Sequence, residues 1–350
     1  MGTGGAIRAA GRMAREEVVT IKETNMAGHP ADPVTPPGAV FMDVSVCVER
    51  DVSIRVMTWR PQRPVSEAPI IFVAGWLSAV SGWAPLLKVM ASGRPVYYIE
   101  TREKRSARIE KKDLQPEDFS IGRIAADLIS VSRQLEIAVS NTTVIGSSLG
   151  ATALLEALKG GELTAGAAFL IAPNSDFPAP WHIRWMLTLP AFLYHGLKHI
   201  VLWYVRNFMV DVKNEPEQMQ RYTETLQAAH PQRIKLSAQA AIDGRYEVWP
   251  HLETVRIPVA LAYAPTDKLH SATNIRLIAA RLPRAEIIVC PSNRYMHRPE
   301  LMADIEAFMR MTYYSQCSHQ GPFYRDSMMG QRIIRGPAED DGLTKDDKSS

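Results

Sequence analysis

Thr142-Thr-Val-Ile-Gly-Ser-Ser-Leu-Gly150 decides how this chain reads. Its first four residues are β-branched, which suits a strand. Gly146-Ser147-Ser148-Leu149-Gly150 comes next, and Ala151 to Lys159 then favours helix. G-x-S-x-G between a strand and a helix is the pattern of a nucleophile elbow. A turn that tight puts strained angles on the central Ser148. It leaves no room for side chains two residues to either side, so glycine stands at both places. The Ser148 hydroxyl is then lifted clear of the sheet above a helix N-terminus, which favours developing negative charge. The same residues also fit a plain strand-to-helix turn with a capping serine. The surrounding chain has to decide between the two.

Upstream, Val44 to Val48 and Ser53 to Trp59 alternate as two strands joined at Glu49-Arg50-Asp51. Pro69 to Ala74 and Pro95 to Ile99 are continuous apolar runs, as strands covered on both faces should be. Trp83 to Met90 looks helical, and a basic loop runs from Arg102 to Lys112. Ile121 to Ala138 places Ile124, Leu128, Val131 and Leu135 on one helical face. Downstream of the elbow, Ala167 to Ile171 is another apolar strand. Pro258 to Ala264 and Ala285 to Cys290 are two more, with helices at Ser271 to Arg281 and Pro299 to Tyr314. Strands alternating with helices imply a mostly parallel twisted sheet with helices on both faces, and the opening pair implies an antiparallel edge.

The division expected from this rhythm has four parts. Residues 1–38 are a poorly ordered leader, and 39–173 with 251–315 form the α/β core. Residues 174–250 are a helical insertion, and 316–350 are a polar tail expected to be disordered. Within the insertion, Ala191 to Met209 carries His195, His199 and Arg206 close together, with Lys198 at the edge of the stripe. The rest of its circumference is largely apolar. Trp181, Trp185 and Met186 add apolar material upstream. This fits a helix packed on the core with one wet face. It also fits a lid that lines an acyl pocket with Phe192 and Trp203, or that touches a lipid surface peripherally, while its cationic groups argue against a membrane-spanning helix.

A serine hydroxyl needs a base to take its proton and a third group to orient that base. After an elbow these partners follow in the order acid, then histidine, past the ends of later strands. Asp267 follows the strand ending at Ala264, and His297 follows the strand ending at Cys290. His297 is therefore the expected general base. His270, three residues after Asp267, is its main competitor. Two backbone N–H groups should face the oxyanion: Leu149, after the nucleophile, and Trp76 in the turn Gly75-Trp76-Leu77, with Leu77 second. Trp76 also suits a pocket wall.

On these residues the chain resembles the α/β-hydrolase superfamily, in particular its esterase, monoacylglycerol-lipase and lysophospholipase-like group. The resemblance spans roughly residues 44 to 314. It rests on Gly146 to Gly150, Ala74-Gly75-Trp76, Ala264-Pro265-Thr266-Asp267 and His297. It implies the α/β-hydrolase fold with an inserted helical lid. It also implies a triad of Ser148, Asp267 and His297 acting on an acyl ester without metal or organic cofactor. Acyl transfer to an alcohol or thiol, and a non-catalytic binding role, are the alternatives. Many relatives have His-Gly where this chain has Ala74-Gly75. Many also have Asp-x-Arg-Gly-x-Gly-x-Ser where it reads Glu100-Thr-Arg-Glu-Lys-Arg-Ser106, without the glycines.

Bulk properties narrow the field further. The 350 residues are 46% hydrophobic and 22% charged, with a net charge of +3. No basic run is interleaved with aromatics, so nucleic acid is not an expected partner. Cys47, Cys290 and Cys317 are far apart and form no C-x-x-C pair, which points away from a disulfide framework or zinc site and towards a reducing compartment. No apolar stretch of signal-peptide length opens the chain. A cytoplasmic protein, with peripheral membrane contact through the lid, is the expectation.

Overall fold

The computed structural model describes residues 32, 34–179, 181–190, 193, 199–200, 202–203, 206–207, 212, 219–220, 223–225, 230–267, 269–314, 323–326 and 332–333. The strands are β1 Ala39–Glu49, β2 Val52–Pro61, β3 Ile70–Val73, β4 Val96–Ile99, β5 Arg108–Ile109, β6 Thr143–Ser147, β7 Ala167–Ile171, β8 Val259–Tyr263 and β9 Ala285–Val289, with two short ones, β10 Phe323–Asp326 and β11 Arg332–Ile333. The α-helices are α1 Ala84–Gly93, α2 Ile121–Gln134, α3 Leu149–Leu158, α4 Trp181–Thr188, α5 Pro231–Asp243, α6 Ala272–Arg281 and α7 Leu301–Tyr314.

All these strands join one sheet in the order β1-β2-β4-β3-β6-β7-β8-β9-β10-β11, with β5 paired to β2. β1 and β2 are antiparallel, and β3, β4 and β6 to β9 run parallel. Every residue of β3, β4, β7 and β8 is buried, which is why these strands read as unbroken apolar runs rather than alternating ones. The parallel run puts the ends of β3, β6, β7 and β8 along one edge, where an open sheet of this kind holds its ligands.

Two expectations are corrected. Helix α2 stops at Gln134 rather than Ala138, because Glu136 turns left-handed (φ 53°) and the Ile137 N–H reaches back to the Ser132 carbonyl. A non-glycine residue in that conformation leaves no signature in sequence. Within the expected disordered tail, β10 pairs parallel to β9 and β11 pairs antiparallel to β10. The open edge of β9 offers a row of backbone groups that a passing extended segment satisfies. The leader at residues 1–31 and most of Ala191 to Met209, including Phe192, His195 and Lys198, lie outside the described residues. Between β7 and β8 the described residues include α4 and α5.

The loop after β4 is polar yet buried. Glu100, Thr101, Arg102 and Glu103 are 8%, 2%, 1% and 2% exposed. Arg102 is the anchor. Its Nε donates to Asp127 Oδ2 on α2 at 2.6 Å, Nη2 donates to the other carboxylate oxygen, and Nη1 donates to the Asp118 carbonyl at 2.9 Å. Burial pushes the Asp127 carboxyl up, and Arg102 brings it only part of the way back. Breaking such a pair strands a buried charge. Arg102→Met should therefore cost about 3–5 kcal/mol. The double variant Arg102→Met/Asp127→Leu should recover most of that, as read from denaturant midpoints at constant m-value.

Candidate active site

The elbow forms as its composition requires. Ser148 links β6 to α3 with φ 50° and ψ −117°, a conformation that an L-residue holds only when its surroundings enforce it. Its N–H donates to the Ile171 carbonyl at the end of β7, at 2.8 Å. A Cβ at Gly146 would lie 2.7 Å from the Ala151 backbone, and one at Gly150 only 2.3 Å from the Val73 carbonyl oxygen. Both glycines are therefore demanded by close backbone approach, and Gly150 is what lets α3 press against the end of β3. Leu77 (φ 52°) and Ala172 (φ 48°) are strained in the same sense and sit in the turns after β3 and β7. Three such residues gathered on one sheet edge are a mark of a functional site.

Asp267 lies in the loop after β8, as expected. The imidazole between it and Ser148 belongs to His270, not His297. His270 Nδ1 is 2.8 Å from Asp267 Oδ2, and His270 Nε2 is 3.0 Å from Ser148 Oγ. An ionised carboxylate only accepts, so Nδ1 donates to Asp267, and Nε2 keeps its lone pair towards the serine hydroxyl. The Asp267 and His270 side chains are 4% and 12% exposed. Burial pushes the Asp267 carboxyl up. The hydrogen bond from His270, with those from the Leu269 and His270 backbone N–H groups, outweighs it and holds the carboxyl below its ordinary value.

The position expected of His297 is corrected accordingly. It closes a short 3-10 turn, Tyr295–His297, and its ring lies 4.0 Å from the Trp83 indole, centroid to centroid. The loop after β8 is tight: Asp267 N–H donates to the Ala264 carbonyl and Leu269 N–H to Asp267 Oδ1. That folding brings residues three apart onto one side, so the nearby His270 ring lies between Asp267 and Ser148.

Leu149 is buried at the head of α3, where its N–H has no intrahelical acceptor. A Cβ at Gly75 would come within 3.2 Å of Ser148 Cβ, so the Gly75–Leu77 turn lies directly beside the nucleophile. Among the described residues, no hydrogen bond is made by the Trp76 or Leu149 N–H. The Trp76 indole is 39% exposed and its Nε1 donates to Ser237 Oγ on α5 at 2.9 Å. Trp203 is 59% exposed, and Phe192 lies outside the described residues.

Asn174 was not singled out from sequence. Its Nδ2 points at Ser148 Oγ at 3.4 Å, and its backbone N–H donates to Thr152 Oγ1, which in turn bonds the Ser148 carbonyl. Its place just past β7 is a weak signal, since Asn is common in any turn.

No family profile matches the sequence, and no curated protein matches it. Solved structures of similar fold include an esterase from Thermogutta terrifontis, at 13% identity and TM-score 0.62, over 77% of this chain and 99% of that one. A hydrolase from Oleispira antarctica matches at 13% and 0.60, over 73% and 94%. A putative acyltransferase from Salmonella enterica matches at 14% and 0.58, over 83% and 99%. With the strand order, the elbow and these likenesses together, the chain has the α/β-hydrolase fold.

Proposed function

We propose that this protein is a serine hydrolase that cleaves a carboxylic ester with an apolar acyl chain through an acyl-enzyme. The observation that carries the reading is the chain of contacts from Asp267 through His270 to a strained Ser148. Ser148 Oγ attacks the ester carbonyl while its proton passes to His270 Nε2. The oxyanion that forms faces the Leu149 and Trp76 N–H groups. His270 then returns the proton to the departing alkoxide. In the second half, His270 takes a proton from water as that water attacks the acyl carbon, and the acid leaves with Ser148 restored. Asp267 orients the imidazole and stabilises its cation. No step calls for a metal or organic cofactor.

An apolar acyl group is supported by the insertion's tryptophans. Trp181 and Trp185, four residues apart on α4, are 79% and 60% exposed. Trp76 and Trp203 are proposed to border the acyl site. The same exposed aromatics support peripheral lipid contact. No helix among the described residues is long and apolar enough to cross a membrane. Each buried methylene contributes about 0.8 kcal/mol, so octanoyl esters should be preferred over acetyl esters.

Ser148→Ala should abolish both hydrolysis and labelling by a fluorophosphonate probe. His270→Ala should lower kcat by at least about 10³-fold, as loss of a triad base does, whereas His297→Ala should stay within about tenfold of the parent. The opposite ranking of the two histidines would return the base to the loop after β9. Chain-length profiles with p-nitrophenyl esters test the acyl site: Trp203→Ser should raise KM for octanoate more than for acetate. Ester consumption that yields a transferred acyl product in the presence of added alcohol, with little free acid, would instead identify an acyltransferase.

A further inference from the structure

The loop Glu100 to Ala107, where the chain lacks the glycines of its relatives, carries a second buried charge pair that the Arg102 anchor does not explain. Glu103 Oε1 accepts from Thr101 Oγ1 at 2.7 Å and lies 3.1 Å from Lys104 Nζ. The Glu103 side chain is 0% exposed and that of Lys104 11%. Glu103 Oε2 is buried and has no hydrogen-bond partner among the described residues, an arrangement that costs stability. Lys104 also reaches beyond the loop. Its Nζ donates to the Gly75 carbonyl oxygen at 2.7 Å, across to the turn beside Ser148.

That carbonyl is one end of a peptide whose other end is the Trp76 N–H. The Gly75–Trp76 peptide is trans, so its C=O and N–H point in opposite directions in one plane. Whatever holds the oxygen therefore sets the direction of the N–H. Within the turn the oxygen also accepts from the Ser78 N–H, at 3.2 Å, a weaker uncharged partner than the ammonium, and Leu77 is strained. A cation on the oxygen also polarises the peptide, which makes its N–H a stronger donor. The loop is itself held from the insertion: Arg233 Nη1 on α5 donates to the Lys104 and Ala107 carbonyls at 2.7 and 2.8 Å.

We propose that Lys104, held by Glu103, is the positioning residue of the oxyanion turn: its ammonium grips the Gly75 carbonyl and so aims and polarises the Trp76 N–H towards the reacting carbonyl. The proposal rests on the acyl-enzyme reading of Ser148. Lys104 itself does not touch the substrate.

The test uses the full chain and two variants. Lys104→Met alone leaves Glu103 buried and unpaired, so Glu103→Gln/Lys104→Met supplies a neutral pair that keeps the packing. In either folded variant, kcat on a p-nitrophenyl ester should fall about 10- to 100-fold, somewhat less than loss of a whole oxyanion donor. KM should stay within about twofold, since substrate and pocket are unchanged. The inhibition constant of a trifluoromethyl ketone, whose adduct carries the oxyanion, should rise by about the same factor as kcat falls. A readout independent of activity is the Trp76 amide in protein labelled with 15N-tryptophan, identified by its absence in Trp76→Phe. It should move upfield in both variants while the Trp181, Trp185 and Trp249 amides stay in place. A folded double variant with unchanged kcat, a loss confined to KM, or an unmoved Trp76 amide would each overturn the proposal. If the parent protein neither labels with a fluorophosphonate nor hydrolyses esters, the Ser148 reading fails. The amide shift alone then decides whether Lys104 sets this peptide.

Discussion

Ser148 is held at φ 50° where β6 meets α3, and the rest of the site depends on that one strained backbone position. The strain persists because the neighbours over-determine it. The Ser148 N–H is tied to the end of β7, α3 begins at the very next residue, and Gly150 lets that helix press onto the end of β3. Relaxing Ser148 would pull α3 off the sheet and undo the packing of a helix with nine buried residues out of ten. The cost at one residue is therefore secured by the burial of a whole element.

The groups around the hydroxyl arrive from separate turns on the same sheet edge. Asp267 and His270 come from the turn after β8, Asn174 from the one after β7, and Gly75-Trp76-Leu77 from the one after β3. Each turn is braced by contacts of its own. The turn after β3 is gripped twice from outside, by Lys104 on its backbone and by Ser237 on the Trp76 indole. Both grips lead to α5, since Ser237 lies on it and Arg233 binds the loop that carries Lys104. Helix α5 is thus joined by hydrogen bonds both to the turn after β3 and to the loop that grips it.

Much of this is legible from residues alone. β3, β4, β7 and β8 announce themselves because both their faces are buried, so no polar residue interrupts them. The elbow is legible because a backbone that tight tolerates only glycine at Gly146 and Gly150. Asp267 is legible by its place after a strand. Position after the last core strand favours His297 in sequence because it is a rule about topology, whereas the local turn at Asp267 decides which imidazole lies beside Ser148. Lys104 and Asn174 are silent in sequence for a similar reason: a lysine in a basic loop and an asparagine in a turn are common, and nothing in their neighbours marks what they face.

The sequence by itself determined the parallel sheet, the elbow and its serine, because burial on both faces and steric exclusion at glycine act within a few residues and leave a local signature. Only the tertiary structure decided which histidine reaches Ser148, which cation holds the Gly75 carbonyl, and that part of the C-terminal stretch extends the sheet. Those are contacts between side chains or edges whose separation in space is set by how the turns fold and how the layers pack. A hydrogen bond of 3 Å is made or lost by movements too small for spacing along the chain to record.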